Sequence, residues 1–491
     1  MTLDEAFRDV TAKHAQKTAL FWGDEEFSYN QLHAQSLWVG EQLRTKFGVK
    51  PGDRVALWLK NCPQFVPALF GIWAAGAVAV PINNFLKPAE VVYILNDSSI
   101  DAIITDTSMA EGVTKVQVDR ATVRALNIEE IPSNAPTEKA AARHRTESDL
   151  AVIIYTSGTT GRPKGAMLAH SNLLHNVTSC RKVLELVGED RIVVLLPMFH
   201  SFMLTVGILL PALIGGSIVL IKSVHPPKNI VQEIIRHRAT ILPAVPQFFR
   251  MLTHGGLPPD MPLRLCISGG APLPGEILRE FTAKFPIPLL EGYGLSEASP
   301  VVSFNPIRGP WKAGSIGVPI HDVQVSIQND SGQMLPPNTT GEVCVRGGNV
   351  MQGYWKQPQE TASAIRNGWL LTGDIGHVDE DGYFYITDRK KDMLLVNGIN
   401  VYPREIEEVL YKFPGVKEVA VIGVADSRKG EQPIAFVAPS DGVQLDVAAI
   451  LAYLRERLAD YKTPKRIILL PSLPRNATGK ILKTSLRQHP L

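Results

Sequence analysis

The sequence predicts an α/β protein. A large N-terminal domain of two α/β layers plus a distorted β-barrel is followed by a small α+β C-terminal domain. Three observations predict this. Short β-branched runs alternate with helical periodicity between residues 51 and 104 and again between 150 and 290, which implies mostly parallel strands joined by crossover helices. After about residue 310, runs such as Val323-Gln-Val-Ser-Ile-Gln328 and Glu342-Val-Cys-Val-Arg346 alternate apolar and polar residues, as half-buried antiparallel strands do. The residues after Asp388 carry their own set of apolar positions, and a chain of 491 residues is too long for one core.

In the first layer, strands are expected at 54–59, 77–81 and 102–105, with helices near 63–75 and 88–96 between them. Residues 110–148 are polar and poor in large apolar side chains. They are expected to cross the surface between the layers. In the second layer, strands are expected at 192–196, 217–221, 239–242 and 263–268, and helices at 171–187, 228–238 and 274–285. Two apolar stretches, 65–82 and 201–221, are long enough to span a bilayer. Pro67, Gly71, Gly76 and Pro81 interrupt the first, and Pro211, Gly215 and Gly216 the second. Each therefore reads as a helix plus a strand of a buried core, with no transmembrane segment. The C-terminal domain, residues 389–491 after an N-terminal domain of 1–388, should contain helices at 403–413 and 445–458. Its strands should lie at 416–424, 432–438 and 465–470.

A net charge of +2 gives no general bias toward nucleic acid. Cys62, Cys180, Cys266 and Cys344 are far apart with no CxxC pair, which argues against a zinc site and a disulfide framework. Met1-Thr-Leu-Asp-Glu lacks the basic-then-apolar pattern of a signal peptide. Buried thiols in a reducing, cytoplasmic compartment are the simplest expectation.

Chemistry concentrates in Tyr155-Thr-Ser-Gly-Thr-Thr-Gly-Arg-Pro-Lys-Gly165, which follows the apolar run Ala151 to Ile154. Glycines let backbone N–H groups turn toward a ligand, and such a concavity with hydroxyls and Lys164 suits a polyphosphate. The spacing is not that of a P-loop, because Gly165 stands where a hydroxyl would be needed. A solvated Gly/Ser/Thr loop is the competing reading. Four more segments follow: Glu291-Gly-Tyr-Gly-Leu-Ser-Glu297, Thr372-Gly-Asp374, Asp388-Arg-Lys-Lys-Asp392 and Pro474-Arg-Asn-Ala-Thr-Gly-Lys480. Taken singly, each has an ordinary explanation: a turn after glycine, a charged surface loop, a solvated lysine.

In this order and spacing the five segments resemble the adenylate-forming superfamily of acyl-CoA synthetases, luciferase and peptide-synthetase adenylation domains. They are most similar to bacterial medium- to long-chain fatty acyl-CoA synthetases. The resemblance implies a large N-terminal AMP-binding domain with a small mobile C-terminal lid. It also implies ATP, magnesium and CoA as cofactors and substrates. It assigns catalysis to Lys480, Glu297, Thr156 and Ser296, with Lys480 bridging the carboxylate and the α-phosphate and Glu297 holding the metal.

The nucleotide is implied to meet Thr156, Ser157, Gly158, Thr159, Thr160, Gly161 and Lys164 on the first loop. Further contacts fall to Gly270, Ala271, Pro272, Glu291, Gly292, Tyr293 and Gly294, then to Asp374, Ile386, Arg389 and Lys480. Tyr293 is to pack on adenine, and Asp374 with Arg389 to meet the ribose. The acid is implied to lie against His200, Phe202, Val245, Phe248, Gly269, Gly294 and Leu295, near Met203 and Val301. His200 acts there as a ring and not as a base, since a carboxylate is already deprotonated at pH 7. Lys391 is the hinge position and Gly398 lines the CoA tunnel. His170 and His175 have no visible carboxylate partner and are read as structural.

Short-chain relatives block the acyl tunnel with tryptophan near Gly294, so glycine there implies an open tunnel and an apolar acid. Three alternatives stay open: an aryl-CoA ligase, an acyl-AMP ligase delivering to a carrier protein, and a nucleotide-binding regulator without turnover. A homodimer and transient contact with a membrane surface are compatible with the sequence.

Overall fold

A computed structural model describes residues 1–136, 145–156, 163–255, 258, 261–397, 399–426, 430–476 and 479–490. Two large sheets form its body. The first has nine strands, in the order Val318–Pro319, Val301–Phe304, Leu289–Gly294, Leu265–Ser268, Ile241–Ala244, Arg191–Val194, Ser217–Leu220, Thr18–Trp22 and Glu25–Ser28. Its six central strands are parallel, and the edge pairs are antiparallel. Ile241–Ala244 and Leu265–Ser268 are buried along their whole length, as expected for strands covered on both faces.

The second sheet has seven strands: Gly353–Tyr354, Lys164–Ala169, Leu150–Thr156, Val78–Pro81, Arg54–Trp58, Ala102–Thr105 and Arg124–Asn127. One core joins the two sheets. It takes Leu20, Ile192 and Ile267 from the first and Val55, Ile104 and Val152 from the second. Helices Tyr29–Thr45 and Phe65–Ala74 contribute Val39, Phe70 and Trp73 to it. Trp73 keeps its one donor satisfied by giving Nε1–H to Ala151 O at 2.9 Å. His170, read as structural, accepts the Leu3 N–H at 3.1 Å and so holds the start of helix Leu3–His14.

Residues 110–148 do more than cross the surface. They form helix Ala110–Asp119 and strand Arg124–Asn127, which pairs in parallel with Ala102–Thr105. Val113, Val116, Val123 and Leu126 are buried. An outermost layer needs only one narrow apolar stripe, so few large side chains sufficed and the polar remainder hid the element. The stretch 201–221 is cut as expected, into a π-helical segment Met203–Leu209, helix Leu210–Ile214 and strand Ser217–Leu220. Among the described residues no helix is long and apolar enough to cross a membrane.

The antiparallel region is a five-stranded sheet of Val323–Gln328, Gly341–Gly347, Trp369–Val378, Ile365–Arg366 and Phe384–Arg389. Register shifts at Glu342/Cys344 and Ile375/Gly376 distort it. Backbone hydrogen bonds stitch it to the segment that leads into the first large sheet. Ile316 N–H donates to Phe384 O and Phe384 N–H to Gly317 O, each at 2.9 Å. Ser303 Oγ donates to Ile316 O at 2.8 Å. Gly317 has φ +81°, and a Cβ there would lie 2.0 Å from the Phe304 carbonyl.

The chain leaves this sheet at Arg389 and enters the last one at Leu394. The last sheet runs Ile399–Val401, Leu394–Val396, Gly430–Pro439, Val416–Asp426, with Arg466–Leu469 added in parallel to Gly430–Pro439. Helices Pro403–Tyr411 and Val447–Arg455 pack on it around a separate core that includes Val421, Val437 and Leu454. All four cysteines are free thiols, and Cys180, Cys266 and Cys344 are buried.

Gly317→Ala should cost about 2–4 kcal/mol of stability, because it forces a side chain into a left-handed residue and against a backbone carbonyl. Urea unfolding followed by tryptophan fluorescence would show the loss as a lower midpoint.

Candidate active site

The parallel strands of both sheets end on a common cleft of about 1210 Å³. Thr156 ends one strand, Ser268 to Gly270 follow a second, Gly292 to Gly294 end a third, and His200 follows a fourth. Open α/β sheets place ligands at such carboxyl ends, where loop backbone is exposed. The far wall is Leu370 to Gly373 and Arg389 from the small antiparallel sheet, with Lys391, Asn476 and Lys480 from the C-terminal domain.

Lys480 therefore reaches a cleft built by the rest of the chain. Its own backbone is fixed by Asn476, whose N–H donates to Lys480 O and whose Oδ1 accepts the Lys480 N–H, both at 2.9 Å. Burial pushes the Lys480 ammonium down to about 8, and the neighbouring Arg389 guanidinium adds to this. Asp374 and Asp392 oppose it. Asp374 is 4 % exposed. It is satisfied by Tyr293 Oη at 2.5 Å and by Arg389 Nε at 3.1 Å, and its N–H donates to Thr372 Oγ1 at 3.1 Å. A buried carboxylate needs such charge-assisted donors.

Glu297 follows strand Leu289–Gly294. Its Oε1 accepts Tyr354 Oη at 2.9 Å and Thr156 Oγ1 at 3.5 Å. Lys164 pairs with Glu360 and sits 5.5 Å above the Tyr354 ring. Ser296 Oγ lies 3.0 Å from Ser201 Oγ. His200 Nδ1 accepts the Phe202 N–H at 3.3 Å, which leaves the ring proton on Nε2. Burial, with the Lys480 charge, holds the His200 pKa down to about 4, so the ring is neutral at pH 7. Its reading as a packing ring agrees with this.

The structure brings Thr156, Lys164, Gly270, Gly292, Tyr293, Gly294, Ser296, Glu297, Arg389 and Lys480 to the cleft lining. His200, Phe202, Gly269, Leu295, Val301 and Lys391 join them. Others stand elsewhere. Val245 and Phe248 belong to the core under helix Pro246–His254. Phe248 is buried with the apolar face of that helix, while Val245, just before it, lies 3.8 Å from where a Cβ on Gly270 would stand, at the margin of the cleft. Met203 is wholly buried inside the π-helical segment.

Ile386 packs with Ile316, Ile327 and Val343, beside Tyr293 and outside the cleft lining. Ala271 and Pro272 lie on the exposed part of their turn, outside the lining. Glu291 is buried behind it and accepts the Leu273 N–H at 3.0 Å. Burial raises its pKa to about 7, with Arg404 opposing. It holds the turn Gly269 to Leu273 and does not face the cleft. Asp374 likewise stands one layer behind Tyr293 and Arg389. Ser157, Gly158, Thr159, Thr160, Gly161 and Gly398 lie outside the described residues.

Gly294 also needs a different explanation. A Cβ there would lie 2.1 Å from Pro300 O. The close pass of two antiparallel backbones demands glycine, whatever the shape of the acid pocket. Sequence reasoning missed Tyr354 and Ser201. Tyr354 reaches Glu297 only because the two-residue strand Gly353–Tyr354 pairs with Lys164–Ala169, and no local pattern announces a pairing so short.

The donor set fits a magnesium ion. Among the described residues no cluster of three or more His, Cys, Asp or Glu exists. Magnesium bound beside phosphates takes only one or two protein carboxylates and keeps its waters. Glu297, on the cleft wall with one oxygen already oriented by two hydroxyls, meets that need.

The AMP-binding enzyme family model matches residues 7–355, and the model of the AMP-binding enzyme C-terminal domain matches residues 405–480. The chain is 34% identical to a long-chain-fatty-acid–CoA ligase of Bacillus subtilis (strain 168), over 99% of this chain and 94% of that one. It is 37% identical to a feruloyl-CoA synthase of an Amycolatopsis species, over 96% and 95%. The fold superposes on ATP-bound MatB from Rhodopseudomonas palustris with a TM-score of 0.92 at 33% identity, covering 99% of each chain.

Lys480 should titrate near pH 8 in the free protein, charged below and neutral above. Asp374→Asn, which removes one of the two carboxylates supporting that charge, should lower the midpoint further. NMR of isotope-labelled lysine would read both; a midpoint near the ordinary lysine value would contradict the burial described.

Proposed function

The chain belongs to the AMP-binding enzyme family, and from that premise we propose that it activates an apolar carboxylic acid of the medium- to long-chain fatty class as acyl-AMP and then passes the acyl group to CoA. The observation that carries the reading is Lys480, a half-buried cation from the C-terminal domain lying in the cleft with Thr156, Glu297 and Arg389.

The difficulty of the first step is that one anion must attack another. Two unit charges 4 Å apart repel by roughly 4 kcal/mol at an effective dielectric of 20. Fixed donors and cations aimed at the α-phosphate remove that barrier. In the proposed step a carboxylate oxygen of the acid bonds to the α-phosphorus, and pyrophosphate leaves with the electrons of the broken P–O bond. Lys480 sits between the two anions, and Thr156 and Ser296 offer hydroxyls to the phosphates. Magnesium bound at Glu297 would spread the phosphate charge. In the second step the CoA sulfur attacks the acyl carbonyl and AMP leaves. Lys480 has no part there, so the C-terminal domain, starting at about residue 389, turns about Lys391 between the two steps.

The acid is read from the lining. Among the described residues the cations of the lining are Lys164, Arg389, Lys390, Lys391 and Lys480, and Phe202, Ile267, Leu295, Val301 and Phe304 give it an apolar stretch. Such a stretch favours an acid with an apolar body. An aryl acid is the second reading, favoured by the 37% identity to a feruloyl-CoA synthase.

A panel from acetate to oleate, with ferulate added, scored as acyl-CoA formed with CoA as acceptor, tests the substrate. Greatest turnover is expected with medium- or long-chain acids; ferulate as the best substrate would establish the aryl reading instead. Lys480→Ala should slow acid-dependent ATP–pyrophosphate exchange about 10²-fold or more, while conversion of supplied acyl-AMP to thioester falls far less. Lys391→Pro should show the opposite split. The Lys391 N–H makes no hydrogen bond among the described residues, so proline removes rotation without removing a contact.

A further inference from the structure

Among the described residues the C-terminal domain also meets the body away from the cleft, and two of these contacts lie at helix Pro246–His254. Val245, immediately before helix Pro246–His254, comes within 3.5 Å of where a Cβ on Gly479 would stand. Arg250, on the same helix, donates from its guanidinium to Lys417 O at 2.5 Å and to Val416 O at 3.2 Å. A third contact is made by Glu408 of helix Pro403–Tyr411. Its carboxylate faces the Gly275 N–H at the start of helix Gly275–Lys284, which favours the charged form while burial opposes it.

The carbonyls that Arg250 takes are open to it for a local reason. The ladder between Val416–Asp426 and Gly430–Pro439 shifts register between Val416 and Glu418, which leaves Lys417 without a partner residue across the ladder. Its carbonyl can then accept a donor from outside the sheet. Arg250 supplies two N–H groups in one rigid fork, and hydrogen bonds from a charged donor are the stronger kind. Its side chain is far from neutral surroundings: Lys417 Nζ pairs with Asp441 at 2.8 Å, and Arg250 helps hold the Asp441 carboxyl below the usual range.

We propose that Arg250 is a positioning residue that holds the C-terminal domain in the pose where Lys480 lies in the cleft. The proposal rests on the two-step ligase reading above. Arg250 lines no part of the cleft and touches no reacting group. Its bonds to Val416 and Lys417 exist in this pose. In any pose that carries Gly479 away from Val245 those carbonyls return to water, which satisfies them at little cost. A contact present in one pose only shifts the balance between poses. Loss of Arg250 therefore weakens the step that needs Lys480 and spares the step that does not.

The experiment measures both half-reactions on the same preparation, with the best acid of the panel. One is acid-dependent ATP–pyrophosphate exchange; the other is thioester formation from supplied acyl-AMP and CoA. Arg250→Ala should lower the ratio of exchange to thioester formation about tenfold. Arg250→Lys, which keeps the charge and loses the fork, should give an intermediate ratio. A smaller folded fraction scales both rates together and leaves the ratio alone, so a merely structural role cannot mimic the result. A ratio unchanged in both variants overturns the role of Arg250. Absence of acid-dependent exchange in the unaltered protein removes the ligase reading, and this proposal with it.

Discussion

A single ammonium group drawn half out of water sets the electrostatics of the cleft. Lys480 is carried by the C-terminal domain yet sits, half-buried, near Arg389 and Asp374 of the body. Burying a cation next to a guanidinium is unfavourable unless a carboxylate stands close. Asp374 supplies it, and is itself held by Tyr293 and Arg389. The group is left poised: charged at neutral pH, but short of negative partners. A site short of anions is a site that attracts them, and phosphate and carboxylate are the anions this family brings together.

The body is built to present that site. Two mostly parallel sheets send their strand ends to one place, and the small antiparallel sheet closes the opposite wall. Glu297 is a point where the two large sheets join. It follows a strand of the first sheet, accepts Thr156 from the second, and accepts Tyr354 from the outermost strand of the second. The stitch at Gly317 and Phe384 holds the antiparallel wall at its distance from the strand ends. Side chains on three elements thus share one frame, and none depends on a long flexible loop for its placement.

Much of this was legible in the sequence, for identifiable reasons. Strand and helix alternation marked both large sheets and the C-terminal domain, because buried parallel strands are apolar without interruption. The segments around Thr156, Glu297, Asp374, Arg389 and Lys480 were legible because glycine, hydroxyl and charge crowd into short runs there. What failed, failed through tertiary pairing. Helix Ala110–Asp119 needed only two buried valines and looked like surface. Phe248 follows a strand that ends at the cleft, so sequence proximity suggested the pocket; the helix that begins at Pro246 turns it into the core. Gly294 was read through the ligand, when the carbonyl of Pro300 was the nearer constraint. Tyr354 and Arg250 act across more than fifty residues of separation, on partners that no spacing rule connects to them.

Arg389 links the two ends of the design. It closes the last strand of the body, binds Asp374 beside the cleft, and stands two residues before Lys391. Its neighbour Lys390 is tethered to Asp330 and Glu342. The body is thus anchored right up to the proposed hinge. Anything that draws on the oxygens of Asp374 has to share them with Arg389 or push it aside, so filling the cleft would bear directly on the residue that begins the link to the C-terminal domain.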